Sequence, residues 1–314
     1  MIGVVKLAFT APVHIGEAGL GLEESGLIIH SDTLFSALFS VWLRLYHQPL
    51  PEKLRLSSAY PFYRDELFYP RPFLKLYGPP QEFFYDHAKT LNKLRFVSHD
   101  YFMKWIRGEP FSEREVEDMV SRSQCIESNI NIVTRPQVVL DRLSNSSGLY
   151  FVGETWFGEG AGLYFFVDLP KHEWPRLKTV IELLGDEGIG GRRSLGYGTF
   201  QPKFIDNFTL SDASAPDAYI TLSLYYPSTG ELLPEDVVSY QLVERTGWIE
   251  GKDGNEQMRH QRVRMFTEGS VFRRCVQGTI VNVAPPGFTK HPVYRNGFAF
   301  TVGTRMGRDD NENL

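Results

Sequence analysis

The sequence predicts an α+β chain built of two units, each a small antiparallel sheet with helices on one face. Three observations lead there. Strand-like alternation opens both halves, at Gly3–Thr10 and at Tyr219–Tyr225. In each half a helical pattern follows, and then further strands. A Ser/Asp/Ala/Pro stretch at residues 211–217 separates the halves. The expected boundaries are 1–210 for the first unit, 211–306 for the second and 307–314 for a frayed tail.

The first strand, Gly3–Thr10, alternates Val5, Leu7 and Phe9 with Val4, Lys6 and Thr10. A Gly-rich segment runs from His14 to Gly26. A short strand at Leu27–His30 then enters Ser31-Asp32-Thr33, whose side-chain oxygens suit a helix start. The helix runs to about Tyr46, with Phe35, Leu38, Phe39, Trp42 and Leu45 as its buried stripe. Residues 49–80 hold seven prolines among aromatics and read as loop with short extended pieces. Residues 81–120 are helical in part, with one helix opening at Ser112. Residues 100–118 carry six acids against three bases, which reads as a solvated face or a contact for a basic partner.

Residues 126–156 read as a long hairpin. Ile130, Ile132, Val133, Val138, Val139 and Leu140 lead out, LSNSSG turns, and Leu149–Phe157 returns. Apolar positions so far along a hairpin are costly in water, so it is expected to project against a support. A strand at Gly162–Asp168 and a helix from Pro175 to Leu184, stopped by Gly185, complete the first unit. In the second, strands are expected at Tyr240–Ile249, His260–Thr267, Gln277–Ala284 and Val293–Val302. A short helix is expected at Pro234–Val238, and a polar hairpin loop at Gly251–Gln257.

Composition narrows the function. With 42% apolar and 23% charged residues in 314, the chain falls in the globular range and can bury a sizeable core. A net charge of -5 excludes a uniformly basic nucleic-acid binder but leaves local patches open. Aromatics at 14% supply flat stacking surfaces. Cys125 and Cys275 stand 150 residues apart, which excludes a disulfide scaffold and a Cys-based zinc site. The apolar run Leu34–Tyr46 is broken by Ser36, Ser40 and Arg44 and is too short to span a bilayer. With no signal-peptide pattern, a soluble cytoplasmic protein is expected.

The most unusual stretch is Gly188–Phe200, which holds Gly188, Gly190, Gly191, Gly196 and Gly198 around Arg192, Arg193 and Ser194. Such glycines let amide hydrogens converge on an anion, and arginine forks suit phosphate. The plainer alternative is a tight helix-to-strand turn. A dinucleotide loop does not fit, because the third required glycine position is Arg193 and the flanking order is reversed. No Walker A run exists, so a polynucleotide backbone is the better ligand. A second basic region is residues 241–308, with eleven Lys or Arg against five acids. There His260, Arg262 and Arg264 share one strand face, opposite Val263 and Met265. Arg135 and Arg142 on the long hairpin are similar candidates.

This glycine loop, set after a helix and before a strand, resembles the signature loop of the RAMP superfamily of CRISPR proteins. HSDTLFSALF (His30 to Phe39), EGSVF (Glu268 to Phe272) and HPVYRNGFAFTV (His291 to Val302) resemble further elements of one RAMP family. In order and spacing they are similar to the family of fourth Csm subunits of type III-A effector complexes. That resemblance implies two ferredoxin-like (RRM-like) RAMP domains with a projecting β-hairpin thumb. It implies no catalysis and no cofactor or metal. The implied partners are the 5′ repeat-derived handle of the crRNA, the large polymerase-like (Palm-domain) subunit and the backbone RAMP subunit, with no membrane. The expected RNA-binding set is Ser31, Thr33, Arg135, Arg142, Gly190, Gly191, Arg192, Arg193, Ser194, Arg245, His260, Arg262 and Arg264.

Two other classes stay open at this point. One is a metal-independent RAMP endoribonuclease, for which His14 or His30 is the candidate base. The other is a scaffold protein that takes no RNA. Plainer roles for His30 and Asp32 are structural support and helix capping. No HExxH or GxSxG occurs, and Asp309-Asp310 falls in the expected tail without a supporting strand.

Overall fold

The computed structural model describes residues 2–17, 21–140, 147–247, 249, 258–289 and 291–307. The first unit contains β1 (Ile2–Phe9), α1 (Ser31–Tyr46), β2 (Arg55–Leu56), β3 (Tyr60–Tyr63), β4 (Glu66–Pro70), α2 (Gln81–Lys93), β5 (Phe96–Ser98), α3 (His99–Ile106) and α4 (Glu113–Ser128). It continues through β6 (Ile130–Leu140), β7 (Ser147–Phe157), β8 (Ala161–Asp168), α5 (Trp174–Glu187) and β9 (Phe200–Ile205). The main sheet runs β5-β4-β3-β8-β1-β9, with β2 also on β8, and its pairs are antiparallel.

Period two in β1 meets a buried surface on both faces. Val5 and Leu7 join Leu163, Phe165 and Val167 of β8 under α1 and α5. Val4 joins Tyr164 and Phe166 on the other face, beneath α3, α4 and the second unit. Lys6, also on that face, keeps a partner by donating to the Arg64 carbonyl (2.9 Å). The α1 stripe is Leu34, Phe35, Leu38, Val41 and Trp42, shifted from the expected one, with Leu45 exposed. The start of α4 follows the sequence reading: Ser112 and Glu115 form a reciprocal capping box. The end of α5 does not. Gly185 lies inside the helix, where a Cβ would meet the Phe200 carbonyl oxygen at 2.5 Å, and Gly188 (φ 83°) is the stop.

The second unit contains β10 (Ala218–Thr221), β11 (Val237–Ser239), β12 (Leu242–Arg245), β13 (Val263–Phe266), β14 (Val271–Phe272), β15 (Ile280–Asn282), β16 (Tyr294–Asn296) and β17 (Thr301–Thr304). They form a sheet ordered β11-β14-β10-β17 and the pairs β12-β13 and β15-β16. The expected second helical layer is absent among the described residues. Pro234–Asp236 is a single 3-10 turn running straight into β11. The inner face of this sheet needs no helix of its own, because Ile220, Leu222, Phe300 and Val302 share the core of Val4, Tyr60 and Phe166. Phe166 and Phe300 stack across the junction, with centroids 5.8 Å apart. The long expected strand Val293–Val302 is broken at Gly297, where the backbone turns against Tyr226. Gly251–Gln257 and most of the expected tail lie outside the described residues.

Candidate nucleic-acid interface

Four chain segments converge at the root of the β6–β7 hairpin. Val13 pairs with Thr155, and Gly191 donates its amide to the His14 carbonyl (2.9 Å). Gly198 donates to Pro12 (2.8 Å), and Gly153 donates to Leu22 (2.8 Å). His14 is buried, and its Nδ1 donates to the Gly153 carbonyl (2.9 Å). Thr155 is held by Ser25 (2.7 Å) and by the Gly26 carbonyl (2.9 Å). The Gly-rich segment that begins at His14 is thus the strap between hairpin and glycine loop.

Within that loop Gly190 and Gly198 serve close packing. A Cβ at Gly190 would meet the His14 carbonyl oxygen at 2.5 Å, and one at Gly198 would overlap the Ile189 carbonyl. Both also have positive φ. The expectation that the Gly191 amide faces a phosphate is corrected here, since that amide is spent on His14. What the loop presents outward is the 3-10 turn Arg193–Leu195, entered through Arg192 in the left-handed region (φ 63°).

Arg192 and Arg135, separate candidates in the sequence, both lie at this root. The Arg192 guanidinium lies over the rings of Tyr150 (5.7 Å) and Tyr197 (5.5 Å), and its Nη2 donates to the Tyr150 hydroxyl (3.3 Å). Arg135 Nε donates to Glu154 Oε2 (2.8 Å), and its guanidinium stands over the Trp156 ring (5.2 Å). Trp156 Nε1 donates to the same oxygen (2.9 Å), and the Tyr197 hydroxyl donates to Glu154 Oε1. Burial, then the hydrogen bond and charge of Glu154, push the Tyr197 phenol up. The result is two arginines layered among three aromatic rings, a surface that suits bases and phosphates together. Sequence reasoning missed Tyr150, Glu154, Trp156 and Tyr197. The alternation of Tyr150, Val152, Glu154 and Trp156 on one strand face was the available signal.

Beyond the root the hairpin projects. Val138 is 60% exposed, Leu140 70% and Leu149 64%, and these share a strand face with half-exposed Phe151. Arg142 and most of the LSNSSG turn lie outside the described residues.

A second polar cluster lies between the two units. Asp32 is fully buried, and its carboxylate is gripped by Arg245 Nε and Nη2 (2.9 and 3.0 Å) and by Arg295 Nη1. Burial alone would raise the Asp32 carboxyl. The two guanidinium charges outweigh it and hold the group well below the usual carboxylate range. Beside it His30 Nδ1 donates to Glu268 (2.7 Å), which also accepts from Ser58. Ser31 is buried, its hydroxyl accepting from the Leu224 amide (3.1 Å), and Thr33 Oγ1 accepts from Arg245 (3.0 Å).

Ser31 and Arg245 therefore offer no surface to a ligand, which corrects two of the expected RNA contacts. Thr33 is committed to the same cluster. His260 also departs from the expected strand face. It precedes β13, and its Nδ1 accepts from Arg295 Nη2 (3.2 Å). Burial and the Arg295 charge push that imidazole down. Arg262 and Arg264 do face solvent opposite buried Val263 and Met265, with Glu244 3.4 Å from Arg262.

The sequence pattern of the RAMP superfamily matches residues 6–201, and that of the CRISPR Csm4 C-terminal domain matches residues 214–304. The chain belongs to the RAMP superfamily, in its Csm4 family. The RAMP match takes in the main sheet, the hairpin and the glycine loop. The Csm4 match takes in Arg245 and Arg295, which meet Asp32 of α1, and Glu268, which meets His30 just before it. Among curated relatives, the "CRISPR system Cms protein Csm4" of Thermococcus onnurineus (strain NA1) is 28% identical over 89% of this chain and 92% of its own. That of Streptococcus thermophilus is 27% identical over 85% of this chain and 88% of its own. Of solved structures, a Csm1-Csm4 cassette in complex with cA4 contains a chain of like fold, with TM-score 0.64 and 22% identity over 98% of this chain and 99% of that one. The Csm3-Csm4 subcomplex of the type III-A CRISPR-Cas interference complex contains another, with TM-score 0.64 and 19% identity over 97% and 100%. Among the described residues no helix is long and apolar enough to cross a membrane.

Proposed function

We propose that this chain is the Csm4 subunit of a type III-A CRISPR effector. In this reading it holds the repeat-derived 5′ handle of the guide RNA and joins a Csm1-type polymerase-like subunit to a Csm3-type backbone subunit. The observation that carries the RNA part is the layering of Arg135 and Arg192 among Tyr150, Trp156 and Tyr197 beside the outward turn Arg193–Leu195. Guanidinium groups supply phosphate contacts, and the rings supply faces for unpaired bases. Arg262 and Arg264 offer a second positive face for the same backbone. The partner assignment is supported by the relatives solved with Csm1 and with Csm3. The exposed apolar face of the hairpin suits a protein neighbour or splayed bases.

The ferredoxin-like reading of the first unit draws on the order β9-β1-β8-β3, with α1 after β1 and α5 after β8. The chain is read as non-catalytic. Both candidate bases support that, since buried His14 is spent on the Gly153 carbonyl and half-buried His30 on Glu268. Co-expression with Csm1-type and Csm3-type partners and a repeat-spacer RNA tests the proposal. The expected result is one complex whose RNA begins with repeat sequence and stays uncut by the isolated chain. A complex that forms as well with Arg135, Arg192 and Arg193 all replaced by Ala, with handle affinity and its salt dependence unchanged, would overturn the RNA role.

A further inference from the structure

We infer that Glu154 is the positioning residue of the RNA site, a carboxylate that orders the binding groups without itself reaching a ligand. This rests on the RNA reading above. Glu154 is only 1% exposed. It nevertheless receives three donors from three parts of the chain: Arg135 from β6, Trp156 from its own strand and Tyr197 from the glycine loop. An acid buried beside a proposed phosphate site is otherwise a liability, because its charge opposes the ligand. Its placement explains the arrangement. Asn131, Val133 and Arg135 share one face of the hairpin with Val152, Glu154 and Trp156, and that face turns to the glycine loop.

Arginine is rich in rotamers, and a phosphate contact must otherwise freeze them out on binding. Glu154 takes Arg135 by Nε, while more than half of that side chain stays exposed. The guanidinium is thereby fixed over Trp156 before RNA arrives. Through Tyr197 the same carboxylate fixes the ring on which Arg192 rests. One group thus sets the spacing of both arginines.

The test is a double-mutant cycle read by binding of a fluorescein-labelled handle RNA to the full chain. Glu154→Gln and Arg135→Ala are each expected to weaken binding roughly tenfold, the scale of one charge-assisted contact. The double variant is expected to bind within about threefold of R135A alone, well short of additivity, because Glu154 acts mainly through Arg135 and otherwise only through the Tyr197 ring under Arg192. A merely structural role would lower the melting temperature and give additive losses in affinity. Additive losses, or parental affinity in E154Q, overturn the inference. Should E154Q not fold, Tyr197→Phe keeps the ring and removes one anchor. It is expected to weaken binding about threefold, and parental affinity in Y197F overturns the inference equally. If the parent chain does not bind this RNA, the RNA reading falls and takes the inference with it. Parental binding with an unaffected E154Q overturns the inference alone.

Discussion

Asp32 shows how a residue can be legible in type and misread in role. Its place in Ser31-Asp32-Thr33 marks a helix start, and α1 does begin there. The Thr33 amide donates to Asp32 Oδ1 (2.8 Å), so the capping reading holds in part. What the sequence did not reveal is that Arg245 and Arg295 reach it from 213 and 263 residues away. No local pattern encodes such a pairing. Yet the three stretches singled out beside the glycine loop, HSDT, EGSVF and HPVYRNGF, supply His30, Asp32, Glu268 and Arg295 to this one cluster. They are distinctive because they lock the two units together, and RNA contact need not be invoked for them. Asp32→Asn keeps the shape and strands two buried guanidinium groups without a counter-charge. The expected cost is roughly 3–5 kcal/mol, the usual consequence of breaking a buried ion pair by removing one partner. Urea unfolding of the full chain checks it, and a change under about 1 kcal/mol would mean that Asp32 is not the centre of the lock.

The elements divide by where their signal lies. The β6–β7 hairpin was legible almost to the residue, because alternation, turn chemistry and return strand are all local. β3 and β4 were legible only as unplaced extended pieces in a proline-rich stretch. Pro61 and Pro70 sit in strands there, and Tyr60, Phe62, Phe68 and Tyr69 are buried without the half-polar alternation that marks a surface strand. The glycine loop was visible by composition, but Gly190 and Gly191 answer to His14, a contact no spacing rule gives. For the hairpin the prediction is specific. Val138 pairs with Leu149, so removing residues 138–149 and joining Gln137 to Tyr150 through a short Asn-Gly turn keeps the Arg135–Glu154 root. Exposed apolar side chains contribute little to the fold, so the melting temperature is expected to move by no more than about 3 °C. Yield of assembled ribonucleoprotein on co-expression is expected to fall severalfold. Full assembly by the truncated chain would assign the apolar hairpin face no docking role.

At the scale of the whole molecule, the junction between units combines a shared apolar core with the buried charges around α1. The lack of a helical layer among the described residues of the second unit follows from that core, since its sheet is covered by the first unit. Composition could not reveal this, because a shared core has the same residues as two separate ones. The junction also makes stability depend on pH in a stated direction. Burial pushes the His30 imidazole down, but the charge and hydrogen bond of Glu268 outweigh it, and the group ends raised. The neighbouring Arg245 opposes this shift and Asp32 adds to it. A raised imidazole contributes stability that is complete below the unfolded value of about 6.5 and is lost as pH climbs through the folded one. His99 and His260 are lowered, first by burial, and act in the opposite sense. Their contributions are complete above about pH 6.5 and fade only as pH falls below it. Glu268 is held below its usual range despite burial, chiefly by His30, and loses its contribution only in acid. Above about pH 6.5 the His30–Glu268 pair is therefore the described histidine contact whose loss should govern the slope. Unfolding free energy of the full chain is expected to decline as pH rises above about 6.5 and to level off once pH has passed the raised folded value. His30→Gln retains a donor toward Glu268 and is expected to flatten the decline while lowering stability at pH 6. A slope above about pH 6.5 that is the same in parent and H30Q would show that this pair does not set the pH response of the junction.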